Sequence, residues 1–341
     1  MAFANAAGQS LKFEKTPTDT ISCIACNGNP ASQIVCCTSW DNSLTLYQLI
    51  SSVGNNTPTP KYLDTIKAQT KDAMICCAFA ENDIIIGTAT GKVCQIAYGQ
   101  KNISVIGFHS GIVSGVCWCP NQGLVLSGSS YDFNLNFWDR RDNTKPANSI
   151  NLQAKCKFLD VANDKAIIVT SDNKISQYDL KQTDKKLKTF SSKISCPISS
   201  LAITPDGNGY VVGGLYGILE ANMKGTGADL IPCHREFSQK PEAAAEVYSS
   251  NCVAIGCVQS KNIFISGGGN GSIEYFSADT LANTDKKKLK ADPITACCII
   301  PQQNTYVVAT GNDWSRGADA SNGAPQTEMT IRMFNGKQIG Q

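Results

Sequence analysis

Cysteine is the residue type with the most evident chemistry in this chain, because thiols can ligate a metal or pair as disulfides. Sixteen of the 341 residues are cysteine, and Cys23 and Cys26 have the spacing of one half of a zinc site. This pair lies in the run ISCIAC, which is typical of a strand, where residues three apart point to opposite faces. No second pair with this spacing follows. We therefore expect no metal and no cofactor, and we interpret the cysteines as buried free thiols in a reducing compartment.

The chain has two histidines, His109 and His234, and neither lies near a motif that would supply a nucleophile. The sequence also lacks GxSxG, HExxH and a glycine-rich phosphate loop that ends in Lys-Ser or Lys-Thr. The run Gly267–Gly271 has no following helix to present N–H groups to an anion, so we interpret it as a tight turn between strands. These features predict a protein that is not an enzyme, with no catalytic residue and no small-molecule substrate.

The strands and turns that would position the cysteines and histidines are clearest in the segment from His109 to Asp139. Apolar alternation from Val113 leads through the turn cluster PNQG to a second apolar run, LVL, and then to small residues. Asp132 stands six residues before Trp138, so its carboxylate is placed to organise a tight turn while the indole closes the sheet. A histidine at the position of His109 can hydrogen-bond into that turn. The segment resembles a WD repeat, one four-stranded blade of a β-propeller.

One blade cannot bury both of its faces, so sister segments are expected every 40–45 residues or so. Apolar runs that would start an inner strand occur seven times, at Ile21, Met74, Val113, Cys156, Ile198, Cys252 and Ile294. Turn residues precede an aromatic residue by six positions in three further repeats, at Asp41, Asp172 and Asn270. Repeats two, five and seven lack this marker. Six cysteines lie in or beside the inner runs, near the expected axis: Cys23, Cys77, Cys117, Cys156, Cys252 and Cys297.

The sequence therefore predicts an all-β fold, a seven-bladed β-propeller of WD-repeat type that forms a single domain over residues 1–341. The approximate blades are 20–50, 73–98, 109–140, 155–180, 197–222, 247–277 and 293–335. A strand within residues 10–15 is expected to close the ring beside Thr330–Phe334. The long stretches Ser51–Pro60, Met223–Glu246 and Asn312–Glu328 are predicted to be irregular insertions, where a binding surface would be sought first.

Composition and charge exclude several classes of protein. With 42% hydrophobic and 17% charged residues the chain is typical of a soluble globular protein, and no apolar run or leader predicts a membrane span or secretion. The net charge of +2 gives no general attraction to nucleic acid. The lysine-rich segments Lys181–Lys188 and Lys286–Lys290 could bind RNA if they shared one face, but such segments are more often solvated connections.

Three stretches outside the repeat pattern carry a resemblance to a known family. Ser39-Trp40-Asp41 is similar to the "GSW" of its first blade, and Cys233-His234-Arg235 is similar to its "KCHR". Pro293–Cys298 followed by GNDWSRG at 311–317 resembles its "PISACCF…SSYDWSKG" ending. This is the family of the RNA export factor of the nuclear pore (the Rae/Gle type), with its mitotic-checkpoint relative of the Bub type. The relative lacks the DWSKG-like sequence, so the export branch is favoured.

The resemblance implies a non-enzymatic adaptor that clamps a GLEBS motif, an extended and partly helical peptide, across one face of the ring. In the export branch the peptide belongs to a nucleoporin, which implies mRNA export at the nuclear pore, in nucleus, nuclear envelope and cytoplasm, with RNA or mRNP bound indirectly. Residues expected to contact the peptide are the aromatic residues Trp40, Tyr131, Tyr216 and Trp314 and the basic residues Arg235 and Arg316. The aromatic residues could instead pack between blades, and Arg235 could be solvated.

Two other functions stay open from the sequence. A Bub-type checkpoint adaptor would bind a peptide of a kinase or kinase-like scaffold at kinetochores, and a generic WD-repeat scaffold would share the repeats alone. The chain also departs from the family at two basic positions. Tyr216–Glu220 replaces "EGRVA", which removes an arginine, and Pro232 replaces a lysine. A diverged peptide, or docking with less charge and more apolar contact, is the expected consequence.

Overall fold

The structure is a computed structural model that describes residues 10–51, 57–68, 70–142, 145–182, 186–237, 244–301, 303–315 and 327–340. Within them the strands form seven four-stranded antiparallel sheets and one two-stranded ribbon, and the only helix is the 3₁₀ turn Leu180–Gln182. The inner strand of each sheet contacts the inner strand of the next, and the seventh contacts the first. The predicted seven-bladed β-propeller is therefore confirmed.

Strands are numbered in chain order and run from the central axis to the rim within each blade. Blade 1 contains β2 (Ile21–Cys26), β3 (Ile34–Ser39), β4 (Ser43–Ile50) and β5 (Thr59–Lys67). Blade 2 contains β6 (Met74–Ala80), β7 (Asp83–Thr88), β8 (Lys92–Ile96) and β9 (Ile103–Phe108). Blade 3 contains β10 (Val113–Cys119), β11 (Leu124–Ser129), β12 (Asn134–Asp139) and β13 (Asn148–Asn151).

The next three blades repeat this order. Blade 4 contains β14 (Cys156–Ala162), β15 (Lys165–Thr170), β16 (Lys174–Asp179) and β17 (Lys186–Ser191). Blade 5 contains β18 (Ile198–Ile203), β19 (Tyr210–Gly214), β20 (Ile218–Asn222) and β21 (Asp229–Pro232). The ribbon of β22 (Arg235–Glu236) and β23 (Glu246–Val247) follows, and blade 6 contains β24 (Ser250–Val258), β25 (Lys261–Gly268), β26 (Ser272–Ser277) and β27 (Asn283–Lys288).

The two ends of the chain meet in blade 7, which closes the ring. This blade contains β28 (Ile294–Ile300), β29 (Thr305–Thr310), β30 (Glu328–Met333) and, as its outer strand, β1 (Ser10–Lys12). β1 pairs antiparallel with β30, with Leu11 opposite Ile331. Pairing the ends removes two free sheet edges.

The hydrophobic core is divided into seven clusters, one between each pair of neighbouring blades. All six residues of β3 are buried, as expected for a strand that is covered on both faces. Val35 and Cys37 pack toward blade 7, whereas Cys36 packs toward blade 2. Alternate side chains of one strand therefore hold different blades together, so the ring is a continuous packed unit.

One predicted insertion is wrong in part. The stretch Met223–Glu246 was expected to be irregular, but it contains β21, the outer strand of blade 5, and β22 of the ribbon. Outer strands lie at the solvent-facing rim, so they carry fewer apolar residues than the strands nearer the axis and give a weaker sequence signal. Among the described residues there is no helix that is long and apolar enough to cross a membrane.

Candidate protein-binding face

Four exposed aromatic side chains share one face of the ring. Each lies in a connection between the second and third strands of a blade, namely Trp40 in blade 1, Tyr131 in blade 3, Tyr216 in blade 5 and Trp314 in blade 7. Connections of the same type end at the same face in every blade of a propeller. Their exposed fractions are 46%, 65%, 70% and 63%, so solvent covers much of each ring. We call this side of the ring the aromatic face.

Trp40 and Trp314 stand together at the mouth of the central channel, a cavity of about 750 Å³ lined by all seven inner strands. The loop that carries Trp314 is held from both neighbouring blades. The carbonyl of Asn312 accepts the Thr20 hydroxyl at 3.0 Å, and Asp313 accepts the Asn251 amide at 2.9 Å. These bonds fix Asn312 and Asp313 beside Trp314, which would lower the entropic cost of binding a partner through that ring.

In blade 3 a buried polar network supports Tyr131. The His109 ring lies 2.8 Å from the Asp132 carboxylate through Nδ1 and 2.8 Å from the Ser127 hydroxyl through Nε2. Trp138 donates its indole N–H to the same hydroxyl at 2.7 Å. The Ser127 hydroxyl then donates to Nε2, which makes Nδ1 the protonated nitrogen of a neutral imidazole. In agreement with a neutral ring, burial lowers the pKa of His109 although Asp132 opposes the shift.

The carboxylates predicted to organise turns accept hydrogen bonds within their own turns, and Asp41 also accepts one from the segment that enters blade 1. Asp41 accepts the N–H of Thr18 at 2.9 Å and that of Ser43 at 3.1 Å. Burial raises the pKa of Asp41, but the hydrogen bonds from Ser43 and Thr18 outweigh it and leave the pKa below its ordinary value. Asp172 accepts the Thr170 hydroxyl at 2.6 Å and pairs with Lys174 at 2.7 Å. Both turns are therefore held by side chains on the aromatic face.

Tyr216 projects from a turn in which Gly217 has a φ of +55°. A Cβ at Gly217 would lie 2.5 Å from the carbonyl oxygen of Cys233, so only glycine fits. Below this turn, Glu220 is buried and accepts the Tyr210 hydroxyl at 3.0 Å and the backbone N–H of Lys193 at 2.6 Å. Glu220 thus holds the segment that enters blade 5, as Asp132 holds the segment that enters blade 3 through the N–H of Ser110, although Glu220 comes from the third strand.

Arg235 lies on the same side of the ring, on the ribbon that precedes blade 6. Its side chain is exposed and makes no ion pair with any described residue. Lys288 pairs instead with the neighbouring Glu236 at 2.7 Å, and Phe237 beside it is strongly exposed. Arg316 lies outside the described residues, so its place relative to this face stays a prediction.

His234 is a structural residue that the sequence interpretation missed. It is fully buried in blade 6, with Nε2 at 2.7 Å from the Ser266 hydroxyl and Nδ1 at 3.1 Å from that of Ser272. Its backbone N–H donates to Glu274 at 2.8 Å. His109 stands four residues before its inner strand, whereas His234 stands sixteen before β24. The ribbon inserted between His234 and β24 hides the spacing, and the pair Cys233-His234 was the only signal in the sequence.

Acid should destabilise the protein through His234. Burial and the charge of Lys286 lower its pKa to about 3. The unfolded chain, with a histidine pKa of about 6.5, then binds more protons below that pH, so stability present at neutral pH is lost as the pH falls from 6.5 toward 3. Between pH 7 and pH 5 we expect the wild type to lose about 2 kcal/mol more than His234→Asn, measured by urea unfolding at each pH.

Asparagine is the matched replacement because the backbone of His234 has a φ of +48°, which asparagine tolerates. His109 is present in both proteins and cancels in the comparison. Equal losses in the two proteins would mean that His234 is not the linked group.

The two lysine-rich segments do not form a common surface. The described part of the first lies in the turn Leu180–Gln182 and on β17 of blade 4, and the second lies on β27 of blade 6 and just after it, with blade 5 between them. Lys286 pairs with Glu274 at 3.1 Å, and Lys188 donates to the carbonyl of Gly225 at 3.2 Å. Lysines engaged within the fold contribute less to phosphate binding than free ones. The described residues of these two segments therefore do not assemble the patch that direct RNA binding requires.

All sixteen cysteines are free thiols. Cys23 packs toward blade 2 and Cys26 toward blade 7, as strand alternation predicts. Burial raises the pKa of Cys37 and of Cys156 to about 12, so these thiols stay protonated. Cys257 is an exception to the predicted burial, since it is exposed. Within the described part of the chain, no three His, Cys, Asp or Glu side chains are grouped as metal ligands.

Comparison with known proteins supports the blade assignment. Residues 100–139 match the family described as "WD domain, G-beta repeat". The matched range joins the outer strand of blade 2 to the first three strands of blade 3.

Several characterised proteins are similar along much of the chain. The "mRNA export factor rae-1" of Caenorhabditis elegans is 24% identical over 92% of this chain and 86% of that protein. The "mRNA export factor GLE2" of Chaetomium thermophilum is 23% identical over 96% and 91%. The "Mitotic checkpoint protein BUB3.3" of Arabidopsis thaliana is 23% identical over 64% of this chain and 66% of that protein, just under two thirds of its length. The resemblance to both types, predicted from the residues, is confirmed.

Proposed function

We propose that this WD-repeat propeller is a non-enzymatic adaptor in mRNA export that holds a GLEBS-type segment of a nucleoporin across its aromatic face. It would act at the nuclear pore, with a distribution over nucleus, nuclear envelope and cytoplasm, and RNA or mRNP would associate through the protein partner. Two relatives named mRNA export factors match more than nine tenths of this chain, which supports the export role.

The observation that carries the proposal is the shared face of Trp40, Tyr131, Tyr216 and Trp314. They come from blades 7 and 1, which are neighbours, and from blades 3 and 5, so a pair of tryptophans and two separate tyrosines are spread around the ring. An extended peptide has the length to contact anchors that are spread in this way, whereas a small ligand does not. Large exposed aromatic rings are the side chains that contribute most to such interfaces.

The charge of this face fits a peptide bound mainly by apolar contact. Arg235 is available to an acidic residue, but Ile218 and Pro232 stand where the resembling family has basic residues. Ile218 packs against the core between blades 4 and 5, so its position offers no charge to a partner. Leu215 and Val247 are exposed close to Tyr216 and extend the apolar surface.

Affinity capture from a nuclear extract tests the proposal. Tagged wild-type protein should recover a nucleoporin with a GLEBS-type segment, identified by mass spectrometry. A bait with Tyr131→Ala and Tyr216→Ala should recover about tenfold less, because two anchors are removed. Tyr98→Ala is the matched control, since Tyr98 is 61% exposed but lies between β8 and β9, at the opposite face.

The same experiment distinguishes the export role from a checkpoint role. The match to BUB3.3 makes the checkpoint role the second candidate. Recovery of kinetochore proteins with no nucleoporin would replace the export role by the checkpoint role. Recovery that is equal from the wild type and the double variant would contradict the aromatic face as the binding surface.

A further inference from the structure

On the aromatic face, the mouth of the central channel is bordered by one repeated position of the inner strands. In each blade this is the second residue of the inner strand, where the pairing with the second strand shifts by one residue. The inner strand starts at this face, since Ile21 lies opposite Ser39, the residue before Trp40. We call the seven residues the mouth ring, and all of them are half-buried: Ser22, Ile75, Ser114, Lys157, Ser199, Asn251 and Thr295.

Neutral hydroxyl groups can make the hydrogen bond that this position forms between blades. The Ser22 hydroxyl donates to the carbonyl of Met74, the first residue of the next inner strand, at 2.7 Å. Ser114 and Ser199 make the same bond to the blade that follows them, at 2.8 Å and 2.6 Å. A serine is therefore sufficient for the structural role of this position.

Lys157 occupies the mouth ring in blade 4 and differs from the other six residues by its charge. Its ammonium group donates to the carbonyl of Ile198 at 2.7 Å, which is the bond that serine makes in other blades. An ammonium group has three N–H donors, and among the described residues no carboxylate forms an ion pair with this one. Burial lowers the pKa of Lys157, as expected for a cation without a counter-ion. A carboxylate brought to the mouth would offset that burial cost.

The position of Lys157 is central to the aromatic face. Blade 4 stands between blade 3, which carries Tyr131, and blade 5, which carries Tyr216. In a ring of seven blades it is also the blade opposite the junction of blades 7 and 1, where Trp314 and Trp40 stand. A segment that contacts all four rings therefore passes close to Lys157.

The charges at the mouth favour a peptide carboxylate over the phosphates of a nucleic acid. Single-stranded nucleic acid is bound by a groove of several cations that follows its backbone. The mouth ring has one cation. A carboxylate, Asp313, lies at the same mouth and accepts the Asn251 amide at 2.9 Å. One acidic side chain can meet the ammonium group alone, whereas a row of phosphates would also approach Asp313.

We propose that Lys157 makes the aromatic face selective for an acidic residue, because its ammonium group pairs with one aspartate or glutamate of the bound segment at the channel mouth. The inference rests on the proposed function, since it concerns the segment that the four aromatic rings hold. It adds a second point of charge recognition, away from Arg235. The bond to Ile198 is kept, because the pair uses the other N–H donors of the ammonium group.

A phage-displayed library of random peptides tests this selectivity without reference to a nucleoporin. Peptides are selected on the full chain, and those that lose binding to Trp40→Ala and to Tyr216→Ala are kept, so that they report the aromatic face. We expect nearly all of them to contain an aspartate or glutamate. Replacing that residue by asparagine or glutamine should weaken binding to the wild type about tenfold, measured by fluorescence anisotropy. This comparison needs no variant at Lys157.

Lys157→Ser removes the charge and keeps the structural bond, as the serines of three other blades show. It should bind the selected peptides about tenfold more weakly and no longer distinguish the acidic peptide from its amide form. Lys157→Arg keeps the charge and should restore most of the affinity. Lys224→Ser is the matched control, because it removes an exposed lysine between β20 and β21, on the opposite face, and should bind like the wild type.

Loss of the acid preference in Lys157→Ser, with recovery in Lys157→Arg, supports the proposal. Selected peptides without an acidic residue, or equal discrimination by the wild type and Lys157→Ser, would overturn it and leave the capture of a nucleoporin unaffected. Binding of oligouridylate that Lys157→Ser weakens to the same extent would assign the ammonium group to a phosphate and also overturn it. A library without any peptide that depends on the aromatic rings would contradict both this inference and the aromatic face. Failure to capture a nucleoporin would remove the proposed partner alone, and the preference for acidic peptides would remain.

Discussion

Replacing Trp138 by alanine should lower the free energy of unfolding by about 3–5 kcal/mol, the range for truncation of a buried aromatic side chain. Trp138 is 3% exposed and fills the interface between blades 2 and 3. Its ring covers Gly107, where an added Cβ would lie 2.5 Å from it, and it meets the His109 ring edge to face at 6.0 Å. Truncation to alanine leaves a cavity, and it removes the indole N–H that donates to the Ser127 hydroxyl. Urea unfolding at pH 7 measures the loss.

Trp40→Ala is the matched control for this experiment. It removes the same side chain from an exposed turn, so it leaves no cavity and should change stability by less than about 0.5 kcal/mol. If Trp138→Ala unfolded at the same urea concentration as the wild type, the indole would not be the side chain that packs blade 3 against blade 2.

The extent to which sequence predicts this fold depends on how much each blade keeps the repeat chemistry. In blade 3 the spacing of His109, Asp132 and Trp138 is enough to infer the hydrogen-bonded turn, because the repeat geometry brings these side chains to their partners. Inner strands are equally predictable, since they are apolar on both faces. The outer strands are not: β17, with sequence KLKTFS, is almost entirely exposed and resembles a polar connection.

Blades 5 and 6 show why other residues could not be predicted. Glu220 holds the segment that enters blade 5 from inside a strand, and His234 reaches its serine partners across an inserted ribbon. Both blades contain a buried polar network, but other chain positions supply it than in blade 3. Spacing rules follow chain position, so they fail where a network is rebuilt from a different element. Only three-dimensional contacts identify these residues.

The aromatic face illustrates the same distinction. The sequence indicates that Trp40, Tyr131, Tyr216 and Trp314 lie in turns, but any one of them could have packed between blades. Their common face follows from topology, since all four occupy the same type of connection. The placement of Trp40 beside Trp314 at the channel depends on ring closure, which joins blade 7 to blade 1 through β1 and through the bond from Thr20 to Asn312.

Removing both tryptophans at the channel mouth should nearly abolish binding of the proposed nucleoporin peptide. Buried aromatic anchors at the centre of an interface each contribute about 2 kcal/mol or more, which is about thirtyfold in affinity. We therefore expect Trp40→Ala and Trp314→Ala each to weaken binding about thirtyfold. The double variant should be weaker still, though by less than the product of the two, because neighbouring anchors share contacts. Fluorescence anisotropy with a labelled GLEBS-type peptide of the captured nucleoporin measures these affinities.

Tyr98→Ala again provides the control, because it removes an exposed ring of comparable size from the opposite face and should leave the affinity unchanged. The variants must also keep the wild-type melting temperature, which is expected because neither tryptophan belongs to a core cluster between blades. Wild-type affinity in the double variant would show that the channel mouth is not the centre of the interface. If Arg235→Ala weakened binding tenfold and the tryptophan variants did not, the centre of the interface would be a charge pair and not an aromatic contact. Truncating one partner of a desolvated charge pair is costly, which would explain such a loss.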